Sequence, residues 1–115
     1  PHTVDAKASV LDALKLMDEN NFRHLPVVQN QKVIGLLSER EIKRFEAFMD
    51  TTRTLVTDVM INEPFTANKG APVGEVIHNM AKNKYGSVVI TGSSNQIVGI
   101  FTTTDALDVL SKVIA

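Results

Sequence analysis

The chain contains itself twice, and no other feature constrains its fold so strongly. Pro1-His2-Thr3 aligns with Pro64-Phe65-Thr66, 63 positions on, and the register holds without a gap through Ala8/Ala71, Val10/Val73, Met17/Met80, Asn20/Asn83, Phe22/Tyr85 and Val27/Ile90. One extra residue in the next turn moves the offset to 64, pairing Gly35 with Gly99, Ser38 with Thr102 and Glu41 with Asp105. A shared register with a single turn insertion marks two copies of one supersecondary unit. At 115 residues the chain can bury a core without covalent staples.

Each copy has the same plan. A short extended entry (Thr3-Val4, Phe65-Thr66) leads into an amphipathic helix. Its apolar stripe is Val10, Ala13, Leu14, Met17 in the first copy and Val73, Val76, Ile77, Met80 in the second, the i, i+3, i+4, i+7 spacing of one buried face. Ser9 suits the N-cap of the first helix and Pro72 the first turn of the second, while Asn20-Asn21 and Asn83 mark their ends. The strands Leu25–Val28 and Ser87–Ile90 follow, then the turns Gln29-Asn30-Gln31 and Gly92–Asn95. Antiparallel hairpins are expected, since parallel pairing needs a long crossover. Pro26 lacks a ladder donor, which places its strand at an edge or places Pro26 at its start. Closing helices are expected at about Glu39–Met49 and Thr103–Val113.

The fold class that emerges is α+β: two tandem β-α-β-β-α repeats with small mixed sheets and helices packed on them. The expected boundaries are 1–49 for the first repeat, 50–54 for a polar, exposed linker, and 55–115 for the second repeat, together one module. Leu55–Met60 leads into the second repeat. Its counterpart falls before Pro1, so the chain is expected to continue upstream.

In both copies the second hairpin strand runs into a helix N-terminus. Val33–Glu41 and Ile97–Asp105 carry a central glycine, a hydroxyl residue at the cap and an acid three residues later. Free amides at such a terminus attract anions. The same Ser38…Glu41 and Thr102…Asp105 spacing also spells a helix capping box, and the two roles can coexist. The box prefers Glu or Gln, which turns Glu41 towards structure and Asp105 towards a ligand. Arg23-His24, taken alone, reads as a solvated turn before a strand. His78 is a solvent-facing helix residue, and Met17, Met49, Met60 and Met80 read as core.

Composition excludes several classes of function. A net charge of −1 offers nucleic acid or an anionic membrane no electrostatic grip. No apolar run approaches the ~20 residues of a membrane span. The absence of cysteine removes thiolate chemistry and is compatible with a reducing, cytoplasmic setting. Three scattered histidines lack metal-ligand spacing, so no metal site is expected. Thr102-Thr103-Thr104 has no base placed beside it in sequence, and no phosphate-cradling glycine loop occurs. An enzyme is therefore not expected.

Phe22-Arg23-His24-Leu25-Pro26-Val27-Val28 with Val33–Glu41, and Thr57-Asp58-Val59-Met60 with Tyr85–Ile90 and Ile97–Asp105, resemble the CBS domain family, named after cystathionine β-synthase. The resemblance covers nearly the whole chain. It implies a tandem pair related by a pseudo-twofold axis, with clefts between the repeats that commonly bind adenosine nucleotides (AMP, ADP or ATP). It also implies regulation of an attached or partner protein, and association into homodimers. By resemblance, Thr102, Thr104 and Asp105 contact phosphate and ribose in one site, and Ser38, Arg40 and Glu41 in the other. Arg23 and His24 face phosphates, Gly86 and Ser87 hold the matching place in the second copy, and Thr3 and Thr66 touch base or ribose.

Two departures bear on this. Glu41 stands where the family pattern has Asp, and Gly86-Ser87 stand where the first copy is basic. If one site is lost, it is the one built on Glu41. The rival reading is an interaction or dimerisation module with vestigial clefts, its apolar closing-helix residues Phe45, Phe48, Met49, Leu110, Val113 and Ile114 forming the contact.

Overall fold

The computed structural model describes residues 2–114; the Pro1 and Ala115 ends of the two expected repeats lie outside them. The first repeat is β1 (Val4–Asp5), α1 (Val10–Asn20), β2 (His24–Gln29), β3 (Lys32–Ser38) and α2 (Glu39–Phe45). The segment between the repeats forms α3 (Val56–Val59) and β4 (Ile61–Asn62). The second repeat is β5 (Thr66–Asn68), α4 (Val73–Asn83), β6 (Ser87–Thr91), β7 (Ile97–Thr102) and α5 (Thr103–Ile114). The β-α-β-β-α order thus occurs twice. No helix among the described residues is long and apolar enough to cross a membrane.

Local chemistry explains these elements. Ser9 caps α1, its Oγ accepting the Asp12 amide at 3.1 Å. The helices α1 and α4 each end on a left-handed residue, Asn21 (φ 54°) and Lys84 (φ 59°). Asn tolerates that conformation better than Lys. Asn30 and Gln31 both have positive φ, as a two-residue hairpin turn between right-twisted strands requires. Pro72 is the N-cap of α4 rather than a residue of its first turn. The first closing helix is shorter than expected: Phe45 leaves helical geometry (φ −113°, ψ 1°) and a 3-10 turn runs over Glu46–Phe48.

The first sheet has the order β1-β2-β3-β4, with β1 parallel to β2 and the other pairs antiparallel. Pro26 therefore sits inside an interior strand, against expectation. The second repeat shows what that costs. There Val89, which matches Pro26, donates its amide to the Phe65 carbonyl at 2.9 Å. Pro26 has no such donor, and β1 pairs only Val27 and Val28, whereas β5 pairs three residues of β6. A proline is tolerated inside β2 because its outer neighbour starts one residue later.

Val10, Ala13, Met17, Leu25, Val27, Leu37, Ile42 and Val56 fill the first core. Val56 lies on α3, so the lead-in that belongs to the second repeat by sequence packs into the first. Packing divides the chain at Pro64/Phe65, and the repeat divides it at Leu55. The expected linker is equally engaged. The Val10 amide donates to the Thr54 carbonyl at 2.8 Å, the Leu11 amide to Thr51 at 2.9 Å, and the Val56 amide to Ala8 at 3.0 Å. The Thr51 and Thr54 carbonyls thereby satisfy amides at the start of α1 that a helix leaves open.

The second unit has the sheet order β5-β6-β7 and a smaller core of Val76, Met80 and Val88. Val73, expected on the buried stripe, is 47% exposed, while its counterpart Val10 is fully buried.

Candidate functional site

The strand–helix corners expected to carry function are built alike in the two units. The Glu39 amide donates to the Arg23 carbonyl at 2.9 Å, and the matching Thr103 amide donates to the Gly86 carbonyl at 3.0 Å. Thr103 Oγ1 adds a second bond to Gly86 at 3.2 Å. His24 faces Ser38 across β2 and β3, as Ser87 faces Thr102 across β6 and β7. Each hairpin base is thus tied to the first turn of the helix that follows it.

In the first unit this corner gathers Arg23, His24 and Ser38, with Arg40 and Glu41 in the first turn of α2. Thr3 stands one residue before β1, whose Val4 pairs with Val27 of β2. In the second unit the matching corner gathers Gly86, Ser87 and Thr102, with Thr104 and Asp105 in the first turn of α5. Thr66 pairs with Val89, two residues after Ser87. Within each unit, all the candidate residues lie at one end of one sheet.

The two corners differ in their acids, and in the opposite sense to the sequence expectation. In the second unit a capping box is closed. The Thr102 amide and Oγ1 both donate to Asp105 Oδ2, at 2.8 and 3.0 Å, and the Asp105 amide reaches back to Thr102 Oγ1 at 3.4 Å. In the first unit Ser38 makes no capping bond. Glu41 turns instead towards Arg44, 3.7 Å away and one turn on. The neighbours decide this. The residue one turn past Asp105 is Asp108, a like charge already paired with Lys112 at 3.1 Å, so Asp105 has no cation there and folds back onto the cap. Both side-chain contacts of Asp105 run to Oδ2, and Oδ1 takes part in neither.

The first corner alters the titration of His24. Partial burial, and then the Arg23 guanidinium beside it, pull its pKa below the usual 6.5. The fold therefore favours neutral imidazole over the unfolded chain. That contribution is complete above pH 6.5 and is lost as pH falls through the lower folded value. Melting temperatures measured from pH 8 to 5 should fall less steeply for His24→Asn than for the parent chain.

An aromatic pair also belongs to each corner and was not foreseen. His2 packs on Phe22 with ring centroids 4.9 Å apart, and the matching Phe65 stacks on Tyr85 at 4.8 Å. Each pair neighbours Thr3 and Arg23, or Thr66 and Gly86, in sequence. Rings at matched positions in both copies were the available signal. Among the described residues, no three His, Cys, Asp or Glu side chains come together as metal ligands.

Comparison with known proteins agrees with this architecture. The family model for the CBS domain matches residues 1–47 and again 56–112. Protein MJ1232 of Methanocaldococcus jannaschii is 31% identical over 109 residues, covering 95% of this chain and 36% of that protein. Inosine-5'-monophosphate dehydrogenase of Thermoplasma acidophilum is 26% identical over 106 residues, covering 92% of this chain and 21% of the enzyme. The chain thus spans about a third or less of these two relatives. Among solved structures, the CBS domain pair of protein MJ0100, in complex with 5'-methylthioadenosine and S-adenosyl-L-methionine, superposes with a TM-score of 0.81 at 26% identity. That match covers 96% of this chain and 91% of the other. With two matched copies, the shared corner architecture and a solved pair superposing over nearly its whole length, the chain belongs to the CBS domain family.

Proposed function

We propose that this CBS pair is a regulatory module that binds an adenosine nucleotide of the AMP, ADP or ATP type and controls an attached or partner protein. The observation that carries this is the second-unit corner. Thr66, Ser87 and Thr102 lie on three neighbouring strands at one end of a sheet, against the first turn of α5 with Thr104 and Asp105. Thr102 and Thr104 offer hydroxyls to phosphate, and Asp105 offers Oδ1 to ribose hydroxyls. The Phe65–Tyr85 stack supplies an apolar ring surface beside them. In the first unit, Arg23 and His24 bring positive charge, Thr3 and Ser38 bring hydroxyls, and Arg40 and Glu41 complete the corner. The adenosine compounds held by the MJ0100 pair support this ligand class. This chain's match within a much longer dehydrogenase supports a module that works on an attached protein. No bond is made or broken; the ligand acts by favouring one conformation over another.

A thermal-shift titration with AMP, ADP, ATP, S-adenosylmethionine and 5'-methylthioadenosine tests this. A native-state ligand at about 100 times its Kd adds about 2.7 kcal/mol, so the melting temperature should climb several degrees and keep rising with concentration. A flat response to all five rejects the proposal. If phosphate settles beside His24, it reverses the tendency towards neutral imidazole. Binding should then take up protons near pH 7, and the calorimetric heat should change with buffer ionisation enthalpy in the parent but not in His24→Asn.

A second reading, an interaction module acting as a homodimer, is favoured by α5. Leu107, Leu110, Val113 and Ile114 are all exposed, and an apolar groove of about 390 Å³ runs between α4 and α5 beside Ile77 and Met80. Light scattering at tens of micromolar should give twice the chain mass; a monomer mass rejects it.

A further inference from the structure

The two sheets are not equally finished. In the first, β4 lies antiparallel along the outer edge of β3, pairing Ile61 with Leu36 and Asn62 with Gly35. A Cβ placed on Gly35 would run into Met60 Sδ and stand 2.7 Å from its Cγ and 3.0 Å from the Ile61 carbonyl oxygen. A side chain there would have to displace Met60, because the lead-in lies close against the strand. In the second sheet, β7 pairs with β6 and, among the described residues, with nothing on its other side. Gly99, the counterpart of Gly35, would meet nothing within 4 Å if it gained a Cβ.

The differences around these glycines all have the same sign. Val98 is 42% exposed, while its counterpart Ile34 packs against the first core. Val73 is exposed where Val10 is covered. The Val10 amide and Ala8 carbonyl are bonded to residues 54 and 56. Among the described residues, the matching Val73 amide and Ala71 carbonyl have no such partner.

From this we infer that the open edge of β7, with the apolar strip from Val98 to Val73, is a docking site for a helix–strand segment of the Leu55–Asn62 type. The occupant is a short helix carrying a buried aliphatic residue in the place of Val56. An unbranched apolar side chain follows it in the place of Met60, seated over Gly99. Two extended residues then add to the Gly99-Ile100 edge by main-chain pairing. The first unit supplies the template, because it presents the same surface with that occupant in place. An unpaired strand edge beside exposed aliphatic side chains is a surface that folded proteins otherwise cover.

The test fuses a copy of residues 50–63 directly ahead of Pro1, in the position that the original segment holds ahead of Pro64. Docking should raise the melting temperature by about 4 °C or more. It should also slow amide exchange across Val98–Ile100 by about tenfold or more. Gly99→Val should change the unextended chain little, yet cancel both gains in the extended one. Placing Asp at the copied Val56 and Met60 positions should cancel them as well. An extended chain with unchanged melting and unchanged exchange at Val98–Ile100 overturns the inference. So does protection of those amides in the unextended chain that grows with protein concentration, because the edge would then be taken by a second copy.

Discussion

Val56→Asp is expected to melt the first unit while leaving the strands of the second protected. Val56 is fully buried among Val10, Ala13 and Met17, and among the described residues no cation reaches that core. An unpaired carboxylate there should cost about 4 kcal/mol or more, at the extreme of single substitutions. Amide exchange read separately on β2–β3 and β6–β7 checks both parts of the expectation. If β6–β7 lost protection and β2–β3 kept it, residues 55–62 would stabilise the repeat they precede rather than the one they follow.

The second large effect is expected at Asp105, which closes the capping box with Thr102 and is proposed to hold a ribose. Asp105→Ala removes the carboxylate that closes the box but leaves Thr102 as the N-cap, and loss of a first-turn acid costs about 0.3–1 kcal/mol. If Asp105 also holds a ribose, charge-assisted bonds worth about 1.5–3 kcal/mol each disappear with it. Affinity for the adenosine ligand should then fall about ten- to several-hundredfold. Glu41→Ala breaks only a half-exposed pair with Arg44, worth under about 1 kcal/mol, and should weaken binding less. Calorimetric titration of both variants, with melts in the absence of ligand, separates the tasks. Parent-like affinity in Asp105→Ala with a lowered melting temperature would leave capping as its only role.

Much of this fold was legible because it was written twice. A helix stripe or strand that recurs at a fixed offset is hard to mistake, and the order of elements followed from it. What failed to show depends on neighbours distant in sequence. Pro26 looked like an edge residue because nothing in its own stretch reveals that β1 begins one residue late. Val73 scored as buried by periodicity, yet periodicity cannot tell whether anything lies over the stripe. The 50–54 stretch is polar enough to read as a linker, yet the Thr51 and Thr54 carbonyls are bonded to the start of α1. The hairpin base and the first turn of the following helix are adjacent in sequence, so which residues meet at each corner was legible. The choice between Glu41 and Asp105 as the cap was read the wrong way round. The statistics of capping favour Glu, while here Arg44 and Asp108, one turn further on, decide it.

The sharing of Leu55–Asn62 has a consequence for a repeat standing alone. The link from Asn62 to Thr66 is four residue steps, which spans at most about 13–14 Å when fully stretched. To reach the open side of β7 from β5, a lead-in would have to cross three strand spacings, about 14 Å, and turn at both ends. A repeat cannot therefore cap its own sheet with its own lead-in. Isolated as residues 50–115, it would carry both a plug and a socket that cannot meet within one molecule. Two such fragments could satisfy each other by reciprocal exchange. Joining two repeats on one chain turns half of that exchange into an intramolecular contact, held at an effective concentration in the millimolar range and independent of dilution.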